Sequence, residues 1–359
     1  MFKDEPALID TEPEAWAEAA SLLYISDSSP GFSRVRTATR FRYLDKTGQK
    51  LTDEKTIDRI RSLVIPPAWE DVWIAPSAKA HIQATGRDAR GRKQYRYHTL
   101  WTAARGEAKY SSLIAFARAL PEMRARIDSD LRRHGMPRQK VLATIVWLLD
   151  NALIRVGNTA YAKANKSFGL TTLKSRHVEI EGSTLRFAFR GKSGKEWNLK
   201  IRDRRIGRIV REIQDIPGQD LFQYLDEEGA RHSIGSHDVN EYIRETSRSE
   251  FSSKHFRTWG GTVTAAGLLA ETPVPGTKRE MKFVVNDIID KVASQLGNTR
   301  AVCRACYIHP SVITAWSEGR LTDEFAAIES RFRKPIDRLD EDETLVLRWL
   351  ENTDAPAAQ

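Results

Sequence analysis

The stretch "GNTRAVCRACYIHP" (residues 297–310) carries Cys303 and Cys306, three positions apart, and then Tyr307, nine residues after Asn298. C-x-x-C is a spacing for metal binding or thiol redox chemistry, and His309 offers a third ligand. A structural zinc takes four ligands, usually with a second pair at a definite spacing, and the chain has only two cysteines. On a helix Cys303 and Cys306 share a face, so packing in a core is their expected role. "RGKSG" (190–194) ends like a phosphate-binding loop. In G-x-x-x-x-G-K-[ST] the first glycine would fall on Arg186, and the segment lies between two strand patterns rather than before a helix. Nucleotide binding is not expected there. With no H-E-x-x-H and no acid-rich set at magnesium spacing, no metal or other cofactor is expected.

The chain has 359 residues, enough for two domains at roughly 100–200 residues each. Lysine and arginine outnumber aspartate and glutamate by 57 to 48, and the excess is clustered in 86–98, 123–140 and 200–211. Clustered cations with few acids between them form an electrostatic footprint for a polyanion, and the first cluster is interleaved with tyrosines. Two cysteines make no disulfide framework and suit a reducing cytoplasm. The N-terminus is acidic and has no apolar signal core. The longest apolar run, 141–149, falls well short of the ~20 residues of a membrane span. A cytoplasmic protein with no membrane partner is expected.

Residues 1–30 read as an extension. Residues 31–104 read as a small β-rich domain, with strand patterns at "RFRYLD" and "WIAP", turns at "KTGQ", "IPPAW" and "ATGRDARGR", and one helix over 53–64 started by Asp53. Residues 105–359 read as a mainly helical domain. Its one sheet comes from "RHVEIEG", "STLRFAFRGKSG" and "KEWNLKI" (176–201). Helices follow over 205–215, 237–247, 254–270 and 279–296, with Ser252 and Ser253 as N-cap candidates for the third. The tail "ENTDAPAAQ" is expected to fray. The fold class is α+β.

Four short segments then stand out together. "LIRVGNTAY" places Arg155 near the end of an apolar helix, with Tyr161 six residues on. "FRGKSGKEW" places Lys192 at a hairpin turn, and "KHFRTWGG" puts Lys254 and Arg257 at i and i+3 of one helix. "LGNTRAVCRACY" supplies Asn298 and Tyr307. In this order and at these separations the set resembles the type IB DNA topoisomerases, in the compact form of poxviruses and bacteria. The resemblance runs from about Arg34 to beyond Tyr307. It includes "RVRTATRFRYLDKTGQ", "GRDARGRKQYRYH" and "GLTTLKSRHVEI". The family's catalytic pattern of Arg, Lys, Arg, His or Asn, and Tyr falls on Arg155, Lys192, Arg257, Asn298 and Tyr307.

The resemblance implies a tyrosine that attacks a DNA phosphodiester and a 3′-phosphotyrosyl intermediate with a free 5′ hydroxyl. Rotation and religation follow, relaxing supercoils without ATP or metal. Those residue types suit that chemistry. Planar, permanently charged Arg155 and Arg257 grip nonbridging oxygens as forks, and Asn298 donates an amide N–H. Donors aimed where charge develops contribute ~3–4 kcal/mol each. The 5′ oxygen leaves poorly unless protonated, and Lys192 is the natural acid. The covalent intermediate keeps the bond energy, so resealing needs no nucleotide. The resemblance also implies a monomer clamped around nucleoid duplex DNA and hinged near 100–108. DNA contacts are implied at Arg92, Gln94, Tyr95, Tyr97, Tyr161 and Lys254.

Two departures stand out. Asn298 occupies a position where many relatives have histidine, and His255 replaces an acid common in the poxvirus form. The nearest alternative is a tyrosine recombinase, which shares the chemistry but typically has H-x-x-R in place of Lys254 to Arg257, and a helical N-terminal domain. A non-catalytic duplex-DNA-binding protein is the other.

Overall fold

The computed structural model describes residues 14, 17, 18, 20–37, 40–332 and 334–353. Most of the acidic start of the extension and the tail from 354 lie outside the described residues. The chain divides into two compact units, Met1–Ser112 and Leu113–Gln359.

The first unit is built on five antiparallel strands in the order β2-β1-β3-β4-β5. They are β1 (Phe32–Arg36), β2 (Phe41–Leu44), β3 (Glu70–Ile74), β4 (Ile82–Arg87) and β5 (Lys93–Tyr97). Helix α1 (Glu54–Ser62) begins where expected, because the Asp53 carboxylate accepts the Thr56 N–H at 2.9 Å. Ile60 of α1 joins Val72, Ile74 and Ala84 in a small core. Arg34 donates to the carbonyls of Ile65, Pro66 and Trp69 and so ties the "IPPAW" turn to β1. The turn expected over 84–92 begins later than that. Residues 82–87 form β4, which pairs on both sides and has four consecutive buried residues, so tertiary pairing overrides the glycine signal there. The described end of the extension packs onto this unit. Ala17 and Leu22 are buried with Trp101, and Leu23 bridges to Ala80.

The unit boundary falls inside a continuous helix, α2 (Thr99–Leu131). The second unit is mainly helical. Its helices are α3 (Arg138–Ala152), α4 (Thr159–Asn165), α5 (Arg204–Gln214), α6 (Ser236–Ser247), α7 (Ser253–Ala270) and α8 (Lys278–Gln295). Then come α9 (Arg300–Cys306), α10 (Pro310–Ser317), α11 (Leu321–Arg331) and α12 (Glu341–Thr353). The expected three-stranded sheet is present as β6 (Val178–Glu181), β7 (Thr184–Arg190) and β8 (Glu196–Arg202), in that spatial order. A two-stranded ribbon, β9 (Gln223–Leu225) and β10 (Arg231–Ser233), interrupts what the sequence suggested was wholly helical. Three residues per strand are too few to show a period.

Trp259, Trp316, Trp349, Phe116 and Phe256 are fully buried in the helical unit. A charged tie crosses this core. Arg124 of α2 bonds Asp150 of α3 and Glu343 of α12, and Glu343 also accepts the Trp259 indole N–H at 2.9 Å. Burial pushes the Asp150 carboxyl above its usual range despite Arg124. Burial acts on Glu343 the same way, but its bonds from Arg124 and Trp259 outweigh that and hold it low. The other arginines of 123–140 also have carboxylate partners. Arg126 and Arg133 pair with Asp130, Arg132 pairs with Asp128, and Arg138 pairs with Asp238. Arg124 is held inside the fold, whereas Arg126, Arg132 and Arg133 pair at the surface.

Candidate active site

Each functional side chain is delivered by the end of an element. The apolar helix α3 stops at Leu153, whose left-handed backbone (φ 52°) turns the chain into the loop 153–158 that carries Arg155. Helix α7 starts at Ser252, whose N–H donates to His255 Nδ1 at 3.0 Å. His255, in place of the acid seen in the poxvirus form, therefore caps the helix that presents Arg257. Arg257 is 3% exposed, whereas Lys254 one turn earlier is exposed. The i, i+3 pair does not act as one face, because Lys254 sits in the open first turn.

Helix α8 ends in a tight reversal, in which the N–H of Gly297 donates to the Ser294 carbonyl and that of Asn298 to the Ala293 carbonyl. Gly297 adopts a left-handed φ of 57°, and a Cβ there would lie 2.6 Å from the Trp197 ring, so only glycine fits. Thr299 then caps the short helix α9, and Tyr307 follows its last turn. The nine residues from Asn298 to Tyr307 are this one helix with its caps.

These elements bring four of the five residues together. Arg155 donates through Nη2 to Asn298 Oδ1 and through Nη1 to the Gly297 carbonyl at 3.3 Å. Arg257 donates to the carbonyls of Leu153 and Leu296, the latter at 2.6 Å, and its guanidinium carbon stands 5.1 Å from the centre of the Tyr307 ring. Both arginines thus give their donors to neutral oxygens rather than to a carboxylate. Burial, then the neighbouring Arg155, push Arg257 down to about 10, while Tyr307 pulls the other way. Burial lowers Arg155 as well, and Tyr307 and Tyr161 oppose it. At neutral pH Arg257 remains charged. Two buried N–H groups in this cluster have no acceptor: Arg257 Nε and Asn298 Nδ2. Buried unpaired donors are costly, so each of these two calls for an acceptor.

Lys192 does not join the four. It stands exposed on the β7–β8 turn, and the lysine of that turn that reaches the cluster is Lys195, whose Nζ donates to the Asn298 carbonyl at 2.8 Å. Lys195 was missed in the sequence, where it reads as one more solvated hairpin cation. Gly261 was missed too. A Cβ on it would lie 2.5 Å from the Tyr307 carbonyl oxygen, so α7 approaches the tyrosine through a bare glycine. The signal was the doublet Gly260–Gly261 inside a helix.

Tyr161 lies half-buried in α4, whose cap Asn158 accepts the Tyr161 N–H. In the first unit, Tyr95 and Tyr97 stand 43% and 38% exposed on the edge strand β5, with rings stacked 5.8 Å apart. Arg92 and Gln94 both bond the Asp88 carboxylate, which Arg92 chiefly holds down at about 2.

The cysteines separate. Cys303 is fully buried and burial pushes its thiol up to about 11, whereas Cys306 is exposed, so only one of them packs in the core. His309 Nδ1 accepts the Ser311 N–H and caps α10. Among the described residues, the only cluster with metal-ligand spacing is His237, Asp238 and Glu241, remote in sequence from this site and partly engaged by Arg138.

The model of the eukaryotic DNA topoisomerase I catalytic core matches residues 98–324, a stretch that contains Arg155, Lys192, Arg257, Asn298 and Tyr307. The chain belongs to the type IB DNA topoisomerase family. The model of the bacterial DNA topoisomerase IB N-terminal domain matches residues 40–88 in the sheet unit. DNA topoisomerase 1B of Acanthamoeba polyphaga mimivirus is 32% identical over 285 residues, covering 77% of this chain and 85% of that protein. DNA topoisomerase I of monkeypox virus is 20% identical over 251 residues, covering 68% and 75%. DNA topoisomerase 1B of vaccinia virus (strain Copenhagen) matches to the same extent. The topoisomerase IB matches decide against the recombinase, and the enzyme class is that of the family. No helix among the described residues is long and apolar enough to cross a membrane.

Proposed function

We propose that Tyr307 is the nucleophile of this topoisomerase IB and that Arg155, Arg257 and Asn298 form its phosphate cradle. The observation that carries this is the Arg257 guanidinium over the Tyr307 ring and Arg155 on Asn298, with Arg257 Nε and Asn298 Nδ2 buried and without an acceptor. The Tyr307 oxygen bonds to phosphorus, and the charge that builds on the nonbridging oxygens is met by fixed, desolvated donors. The P–O5′ bond breaks as Lys192 transfers a proton to the leaving oxygen, giving a 3′-phosphotyrosyl link and a free 5′ hydroxyl. Rotation releases supercoiling, and the 5′ hydroxyl reverses the step without a nucleotide. The arginines supply the positive charge, so the reaction proceeds without metal.

The substrate is duplex DNA, bound by a monomer that closes its two units around it in the cytoplasm. Tyr95 and Tyr97, with Arg92 and Gln94, contact it from the sheet unit, and Tyr161 and Lys254 contact it beside the site. Relaxation of both positively and negatively supercoiled plasmid in EDTA without ATP tests the reading. Failure of the purified protein to relax either one overturns it, and a DNA-linked Tyr307→Phe variant overturns the nucleophile.

A further inference from the structure

Three consecutive carbonyls each accept a hydrogen bond from a different cation. Leu296 O takes Arg257 Nη2 at 2.6 Å, Gly297 O takes Arg155 Nη1 at 3.3 Å, and Asn298 O takes Lys195 Nζ at 2.8 Å. The first two cations belong to the phosphate cradle. The third comes from the β7–β8 connection, residues 191–195, which also carries Lys192.

A second contact joins the same two segments. The Trp197 indole lies where a Cβ on Gly297 would be, 2.6 Å away, and equally where a Cβ on Gly191 would be, 2.6 Å from Nε1. One ring therefore fills the space above both glycines, at the start of the turn and at the cradle. Within the turn, Gly191 N–H donates to the Lys195 carbonyl at 2.7 Å and Gly194 N–H donates to the Gly191 carbonyl at 3.1 Å. Ser193 and Gly194 are both left-handed, at φ 63° and 77°. Lys192 and Lys195 thus sit on one closed loop, and the place where Lys195 is fastened fixes where Lys192 can reach.

We propose that Lys195 is a positioning residue that fastens this turn to the Asn298 carbonyl and so sets Lys192 beside the leaving oxygen. The inference rests on the assignment of Lys192 as the acid made above. It gives the two lysines different chemistry. Lys192 loses its proton to O5′ as the P–O5′ bond breaks, whereas Lys195 keeps its protons throughout and acts only through Lys192.

The test uses the full chain in single-turnover cleavage of two duplexes, one with an ordinary phosphodiester and one with a 5′-bridging sulfur at the scissile position. A thiolate leaves without a proton, so the second substrate bypasses the acid. Lys192→Ala is expected to slow ordinary cleavage about 10²–10⁴-fold, the range of a positioned acid, and to cleave the sulfur substrate near the unmodified rate. Lys195→Ala is expected to slow ordinary cleavage about 10–100-fold, within that same contribution, and to be rescued by sulfur in the same way. The double variant is expected to be no slower than Lys192→Ala, and Lys195→Arg, which keeps a donor for the carbonyl, to be near the unmodified protein. If Lys192→Ala is rescued but Lys195→Ala stays slow on sulfur, or the two defects multiply, Lys195 supports the cradle or the fold and the proposal fails while the acid stands. If Lys195→Ala alone is rescued, Lys195 is itself the acid and both assignments fail. If neither variant is rescued, the acid role falls and the positioning role with it.

Discussion

Gly261 and Tyr307 meet backbone to backbone, and a Cβ on Gly261 would lie 2.5 Å from the Tyr307 carbonyl oxygen and 3.3 Å from the Tyr307 Cβ. No real side chain fits at such a distance, so the bare glycine lets helix α7, which carries Arg257, pack directly against Tyr307. Gly261→Ala is expected to displace Tyr307 from the cradle. A shift of about 1 Å costs on the order of 10²-fold in rate. Single-turnover cleavage and the melting temperature together check this, since the rate should fall far more than the loss of a few degrees explains. Unchanged cleavage would show that Tyr307 is not held from this side.

Arg257 holds two carbonyls and leaves its buried Nε without an acceptor, a division of donors that an ammonium cannot copy. Arg257→Lys is therefore expected to lose about 10²–10³-fold in cleavage rate, as when one oxyanion donor is removed. Asn298→Ala removes the other open donor and leaves the Arg155 fork without its amide partner, so a loss of similar size is expected. Both are read as rates of covalent-complex formation at saturating DNA. A defect confined to DNA affinity would move these residues out of the cradle.

On the sheet unit, Arg92 pairs with Asp88, and the proposed function has it meet a phosphate as well. Arg92→Ala is expected to weaken non-covalent duplex binding without changing the cleavage rate at saturation. The slope of log affinity against log salt should become shallower by about one. Asp88→Asn removes the carboxylate charge beside Arg92 and Gln94 and is expected to strengthen binding at low salt. Fluorescence anisotropy of a labelled duplex across a salt series measures both. An unchanged slope for Arg92→Ala would remove it from the phosphate contacts.

The buried tie of Arg124, Asp150 and Glu343 predicts a stability effect separate from catalysis. Glu343→Ala leaves Arg124 with one carboxylate partner and the Trp259 N–H with none, so a loss of about 3–5 kcal/mol is expected in urea unfolding.

Asp130 adds a pH signature. Burial raises its carboxyl, but bonds from Arg133, Tyr242 and Arg126 outweigh this and hold it below its ordinary value. A carboxylate depressed in the folded state adds stability above the unfolded value near 4, and that stability fades as pH falls through the folded value. The melting temperature should therefore drop less steeply below about pH 4 in Asp130→Asn than in the unmodified protein. Parallel curves would rule out this contribution.

Much of the fold and part of the site were legible in the sequence alone. Periodicity and caps are local, so α1, the β6–β7–β8 sheet and the helix bearing Arg257 could be read from Asp53, from the glycine turns and from Ser252. The order of Arg155, Lys192, Arg257, Asn298 and Tyr307 is also a property of the chain. Tertiary structure decided which cations remain free to act. Arg124 and Arg138 look as available as any others in sequence, but carboxylates distant in the chain, Asp150, Glu343 and Asp238, take them up. Which cysteine is buried, which lysine of the β7–β8 turn touches Asn298, and why Gly261 must be bare depend on contacts between segments far apart in sequence. A hydrogen bond or a close approach is a distance between two atoms. Where the two residues lie a hundred positions apart, as Lys195 and Asn298 do, only the packed chain sets it.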